Sequence, residues 1–252
     1  MIIIKSDEEI DLMRTSGKVT GKILHDLADF IKPGMSTFDV DRFVEDTIRE
    51  HDMIPTFLGY GGFPASACVS INEEVVHGIP SKSRILKEGD IVSVDIGSTY
   101  KGYVSDAART YAVGEISPEA QQLIDTTRES FFEGIKFARP GNRLSDISHA
   151  VQTRAEADGF SVIRDYVGHG VGREMHEDPQ IPNYGKPHKG PRIAKGMVFA
   201  IEPMICQGGY ECRVLDNDWT VVTVDGKLAA HYENTVVITD DGPELLTLFE
   251  EE

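Results

Sequence analysis

A single offset of 107 residues superimposes three separate landmarks of this chain. Lys32-Pro33-Gly34 falls on Arg139-Pro140-Gly141, and Asp39-Val40 falls on Asp146-Ile147. Gly89-Asp90-Ile91-Val92-Ser93-Val94-Asp95 falls on Gly196-Met197-Val198-Phe199-Ala200-Ile201-Glu202. Three matches on one offset without a gap mark an internal repeat, with halves at roughly 1–113 and 114–252 of one domain spanning 1–252. In each copy a Pro-Gly turn leads into a helix, and later an apolar strand ends in a carboxylate. Two halves related in this way bring Asp95 and Glu202 together on a pseudo-twofold axis, which is the geometry of a shared site.

The same plan is readable element by element. Ser6-x-x-Glu9 is a capping box, and Ile10, Met13, Ile23, Leu24, Leu27 and Ile31 form a helical apolar stripe that ends before Pro33-Gly34. A second helix is predicted from Ser36 or Thr37 to about His51, with Val40, Phe43, Val44 and Ile48 on its inner face. In the second half, Ser117-Pro118-Glu119 starts a helix running to about Ala138. Another follows Leu144-Ser145 and stops at Gly159. Strand-like runs cover 67–71, 91–96, 104–113, 198–205, 219–224 and 229–238. Helix pairs followed by hairpins predict an α+β domain with the helices packed on a curved antiparallel sheet.

A chain of 252 residues that is 40% hydrophobic buries a sizeable core. Its formal charge of −17, with no local Lys/Arg cluster, repels nucleic acid and anionic membrane surfaces. Cys68, Cys206 and Cys212 are odd in number and lack Cys-x-x-Cys spacing, which excludes a disulfide framework and a structural zinc site of that type. The apolar start Met1-Ile2-Ile3-Ile4 is too short for a signal peptide, and no run approaches about 18 apolar residues. A soluble, cytoplasmic, monomeric protein is expected.

Chemistry concentrates on a few residues. Asp95 and Asp106 flank a turn near Tyr100-Lys101-Gly102; a turn centred between Tyr100 and Lys101 sets them directly opposite each other, with Cβ atoms about 4.5 to 5.5 Å apart. Their flanks are apolar, and a buried carboxylate pair is costly unless a cation neutralises it; a metal serves better than the alternative, an Asp95–Arg109 ion pair. Gly168-His169-Gly170 places an imidazole between two glycines, which allow close approach. An imidazole suits transition ions, whereas carboxylates alone suit Mg²⁺ or Ca²⁺. Glu202 ends an apolar run before Pro203, and Glu233 precedes the apolar 235–238; neither run contains a Lys or Arg to pair it. Four carboxylates and one histidine are enough for two adjacent divalent ions, which activate a water and polarise a carbonyl.

At Tyr166-Val167-Gly168-His169-Gly170-Val171-Gly172, then His176 and Ile181-Pro182-Asn183-Tyr184, the chain resembles the type I methionine aminopeptidases of the pita-bread metallopeptidase fold. Ser70-Ile71-Asn72-Glu73 leading to His77-Gly78-Ile79-Pro80, Val94-Asp95-Ile96-Gly97 and Ile201-Glu202-Pro203 extend the resemblance over nearly the whole chain. The resemblance implies removal of the initiator methionine from nascent chains with a small second residue, by a metal-activated water attacking the scissile carbonyl. Asp95, Asp106, His169, Glu202 and Glu233 would hold two divalent ions (Co²⁺, Mn²⁺, Fe²⁺ or Zn²⁺), with Asp106 and Glu233 bridging. Glu202 would also take the proton from the water, His176 would bond the scissile carbonyl, and His77 the substrate backbone. Phe57, Tyr60, Phe63, Cys68, Met175 and Trp219 would line the methionine pocket, whose sulfur and aromatic surfaces suit a thioether.

Family role also implies work at the ribosome, although the sequence offers no basic docking surface. The chain lacks the amino-terminal zinc-binding extension of the longer eukaryotic enzymes and the helical insertion of type II enzymes. Two rival readings use the same fold. A prolidase or aminopeptidase P would use the same five ligands on X-Pro substrates but usually carries a large extra amino-terminal domain. A non-catalytic peptide-binding scaffold would be expected to have lost ligands.

Overall fold

The computed structural model describes residues 1–249. The first half runs α1 (Asp7–Phe30), α2 (Thr37–Glu50), β1 (Ile54–Pro55), β2 (Ala67–Ile71), β3 (Glu74–Val76), β4 (Ile91–Tyr100) and β5 (Tyr103–Ala112). The second half starts with α3 (Pro118–Ile135), α4 (Leu144–Ala157), β6 (Ser161–Val162), β7 (Gly168–Gly170) and β8 (Glu177–Ile181). It continues with β9 (Val198–Ile201), β10 (Met204–Cys206), β11 (Cys212–Val214), β12 (Val221–Thr223), β13 (Ala229–His231), β14 (Asn234–Thr239) and β15 (Gly242–Leu245).

The helix boundaries have local causes. Ser6 with Glu9 and Ser36 with Asp39 close capping boxes that satisfy amides a helix start leaves unpaired. Ser117 caps α3 with Pro118 in its first turn. Gly159, at φ +83°, supplies the left-handed residue that follows α4.

All strand pairings are antiparallel among the described residues, and they form an α+β architecture. The central strand β4 lies between β2 and β5, and β9 lies between β7 and β14. Period-two alternation then sorts the side chains. Val92, Val94 and Ile96 join Leu24, Leu27, Val40, Val44 and Ile48 in a core beneath α1 and α2. Phe199, Ile201, Val236 and Ile238 join Phe131, Ile147 and Val151 beneath α3 and α4. Each helix pair therefore covers one face of its strands, and the opposite parity leaves Asp95, Asp106 and Glu202 on the other face. The pairing falls into four ladders among the described residues, with an Ala108–Glu233 bridge between the halves.

Two expectations about strands need correction. The β4–β5 turn is Lys101-Gly102, with φ of 48° and 81°, the two positive values of a type I′ hairpin loop. Centring the turn there sets Asp95 opposite Ala108 and Asp106 opposite Gly97. The two aspartates are thus diagonal neighbours on one face, not a directly facing pair. The runs 198–205 and 229–238 are also each broken, after Ile201 and after His231. The breaks coincide: Ile201 pairs with Asn234 on one side and Met204 with His231 on the other. Pro203 has no amide to give the ladder. Glu202 and Glu233 face each other across this gap in the pairing, so the carboxylates sit where the sheets change, not within continuous strands.

Candidate metal centre and substrate pocket

The inward faces of the two halves meet at one cavity of about 200 Å³. Asp95, Asp106, His169, Glu202 and Glu233 line it, together with His77, His176, Phe57, Tyr60, Phe63, Cys68, Met175 and Trp219. All thirteen residues named for the metal site, the histidines and the methionine pocket therefore line this space. His169 Nε2 stands 3.4 Å from Glu202 Oε1 and 3.6 Å from Asp106 Oδ2. Its Nδ1 donates to the Gly170 carbonyl at 2.8 Å, which leaves the Nε2 lone pair turned toward the carboxylates.

The backbones of these residues are fixed from across the domain. The Thr235 hydroxyl accepts from the Asp106 amide at 2.9 Å and donates to the Asp106 carbonyl at 2.8 Å. Arg109 Nη1 donates to the Glu233 carbonyl at 2.7 Å, and Asn183 Nδ2 donates to the Glu202 carbonyl at 2.9 Å. Thr235 carries no signal in the sequence, because a strand threonine is an ordinary residue, and Asn183 is legible only as part of the Ile181-Pro182-Asn183-Tyr184 motif.

Electrostatics at the cavity are dominated by desolvation. Burial pushes the Asp95, Glu202 and Glu233 carboxyls well above their usual range, and the neighbouring carboxylates push them further. Asp106 is raised by the same burial. His169 and His77 are each lowered to about 4, first by burial and then by His176. Asp95 Oδ1, Asp106 Oδ1, Glu233 Oε1 and His231 Nε2 are buried without a hydrogen-bond partner. Orphaned acceptors beside neutral imidazoles are the donor set a divalent transition ion requires, and the residues fit such an ion. Ligand atoms of Asp106, His169 and Glu233 lie within 4.8 Å of one another, as do those of Asp95, His231 and Glu233. His231 is the residue that sequence reasoning passed over; its one signal is its place two residues before Glu233.

The pocket wall is built around aromatic edges. The Phe63 and Trp219 rings meet edge-on at 5.1 Å, and His77 stands edge-on to Tyr166 at 5.7 Å. Tyr60 Oη lies 2.8 Å from His176 Nδ1, and the His169 and His176 rings are 4.3 Å apart. Residues 11–240 match the profile of metallopeptidase family M24.

The chain belongs to metallopeptidase family M24.

Among the M24 relatives, the methionine aminopeptidase of Clostridium acetobutylicum is 61% identical over 250 residues, covering 99% of this chain and 100% of that protein. A crystal structure of the Thermotoga maritima methionine aminopeptidase superimposes with a TM-score of 0.97 at 49% identity, covering 99% of this chain and 100% of that one. The prolidase of Pyrococcus furiosus has a TM-score of 0.76 at 23% identity, covering 98% of this chain and 66% of that one; that likeness is one of fold alone. The pita-bread M24 fold and the resemblance drawn from the sequence motifs are both borne out. Among the described residues, no helix is long and apolar enough to cross a membrane.

Proposed function

We propose that the protein is a methionyl aminopeptidase, a metal-dependent hydrolase that removes the initiator methionine from nascent polypeptides and peptides with a small second residue. The observation that carries the reading is the convergence of five ligand-type residues, of which Asp106, His169 and Glu233 are buried, with an apolar, sulfur-containing pocket in one cavity. Asp95, Asp106, His169, Glu202 and Glu233 would hold two divalent ions. Bound ions of this kind supply Lewis acidity and lower the pKa of a coordinated water from 15.7 to about 7.

The chain's own groups do the rest. The Glu202 carboxylate accepts the proton of the attacking water and later passes it toward the leaving amine. Tyr60 donates its hydroxyl proton to His176 Nδ1, which keeps the other ring proton on Nε2 as a donor for the scissile carbonyl oxygen. His77, held at a φ of 60°, bonds the substrate backbone. Phe57, Tyr60, Phe63, Cys68, Met175 and Trp219 accept the methionine side chain, and their apolar surface excludes bulk water from the reacting bond. The halves 1–113 and 114–252 act as one catalytic domain.

The decisive experiment is release of free methionine from Met-Ala-Ser and Met-Pro-Ala, beside Ala-Pro-Ala, by chelator-treated protein with and without Mn²⁺ or Co²⁺. Metal-dependent methionine release with Ala-Pro-Ala intact is expected, and Asp106→Asn or His169→Ala should reduce that release by at least about 100-fold. Cleavage of Ala-Pro-Ala would assign a proline-directed activity instead. No cleavage with any metal would overturn the enzymatic reading.

A further inference from the structure

The five-ligand set leaves one imidazole of the cluster without a role. His231 ends β13 with its side chain 1% exposed, and its Nε2 has no hydrogen-bond partner. That nitrogen stands 3.5 Å from Glu233 Oε2 and 3.8 Å from Glu202 Oε2. Both separations exceed the roughly 2.7 to 3.2 Å of an N–H···O bond. They approach the spacing of atoms that share an ion, since tetrahedral ligands about 2.1 Å from a metal stand about 3.4 Å apart. His169 Nε2, at 3.4 and 3.6 Å from its carboxylates, keeps the same spacing.

The backbone supplies an independent argument. Across the Ala108–Glu233 bridge, the Thr110 hydroxyl accepts from the His231 amide and donates to the His231 carbonyl, both at 2.9 Å. Thr235 grips Asp106 in the same two-bond manner. A local twofold through the bridge therefore exchanges Asp106 with His231 and Thr235 with Thr110. His231 is held as firmly as Asp106, at the twofold-related position, and its free nitrogen faces Asp95 and Glu233 as His169 faces Asp106 and Glu233.

We propose that His231 Nε2 is a direct ligand of the second divalent ion, beside Asp95 and Glu233, so that each ion has one imidazole, His169 at one position and His231 at the other. The inference rests on the metal-dependent reading and deepens it. A nitrogen donor at the second position biases that site toward Co²⁺, Zn²⁺ or Fe²⁺ and away from Mg²⁺ or Ca²⁺.

Full-length, metal-free protein carrying nitrogen-labelled histidine is titrated with spin-active cadmium and observed by NMR. Cadmium–nitrogen splitting on two imidazoles is expected, the second appearing with the second equivalent and missing in His231→Gln. Splitting on a single imidazole at full loading would overturn the proposal, and this count in the unaltered protein stands whether or not the variant folds. In calorimetry with Co²⁺, His231→Gln should weaken one of two binding steps by at least about tenfold, with the other changed less than threefold. Equal weakening of both steps, or of neither, would also overturn it. Wild-type protein that takes up no ion would instead sink the metal-dependent reading, and this inference with it.

Discussion

Lys5 Nζ meets Glu177 Oε2, 172 positions away in the chain, and the two side chains are only 3% and 6% exposed. Glu177 Oε1 accepts from the Arg173 and Glu174 amides at 3.0 and 3.4 Å, so the carboxylate gathers the loop that carries Met175 and His176. Removing one partner of a buried ion pair strands the other in a poor solvent and costs roughly 3–5 kcal/mol. Lys5→Met should therefore lower stability in denaturant unfolding by that amount and reduce methionine release through displacement of His176. A change within about 0.5 kcal/mol would show that Glu177 is solvated without its partner. At this scale the sequence is legible where a residue violates its surroundings, as Glu202 and Glu233 do beside apolar runs. Lys5 and His231 give no such signal, because what matters in them is a partner that only folding brings near.

The elements show the same division. Helix starts are written in short local codes, and both helices of the first half begin at their serine caps. The Glu9 carboxylate also accepts from the Tyr103 hydroxyl at 2.6 Å, tying α1 to the start of β5. That bond, then the Ser6 amide, holds the Glu9 carboxyl below its ordinary value. The folded state thus binds fewer protons than the unfolded one, and the contribution is present above the unfolded pKa of about 4.3 and is lost as pH falls through the folded value. Glu9→Gln should cost about 1 kcal/mol at neutral pH, and the difference from wild type should shrink toward zero below about pH 4 when thermal unfolding is followed across pH. A penalty independent of pH would assign Glu9 a packing role. Strand limits were less legible than helix limits. Strand-like composition continues on both sides of Glu202 and of Glu233, and the interruption is imposed by the facing strand and by Pro203. The hairpin register is illegible for a related reason: Lys101 adopts a positive φ that Asn or Asp would signal and lysine does not.

For the whole molecule, the buried acids make metal content a stability variable. Desolvation opposes the ionised forms of Asp95, Glu202 and Glu233, and an ion bound only by the folded chain offsets that cost. Mass action gives about 2.7 kcal/mol for each ion at 100 times its dissociation constant. Chelator-treated protein should therefore unfold at a lower temperature than protein with added Mn²⁺ or Co²⁺, and both halves should shift together. Fluorescence of Trp219, the single tryptophan, reports on the second half, and far-ultraviolet circular dichroism reports on the whole chain. A shift seen by one probe alone would mean that the ion stabilises one half independently. The repeat foretold that two halves face one another. It did not foretell the reciprocal threonine grips, since hydroxyl positions follow from register across the seam and leave no trace in either copy read alone.

The Ala108–Glu233 bridge also has a consequence in time. Synthesis runs from the amino terminus, and Asp95, Asp106, His169 and Glu202 all precede Glu233 in the chain. A growing chain therefore lacks the Glu233 carboxylate until the other four residues have been made. A fragment that stops before Glu233 has only part of the cavity lining in which the two halves meet.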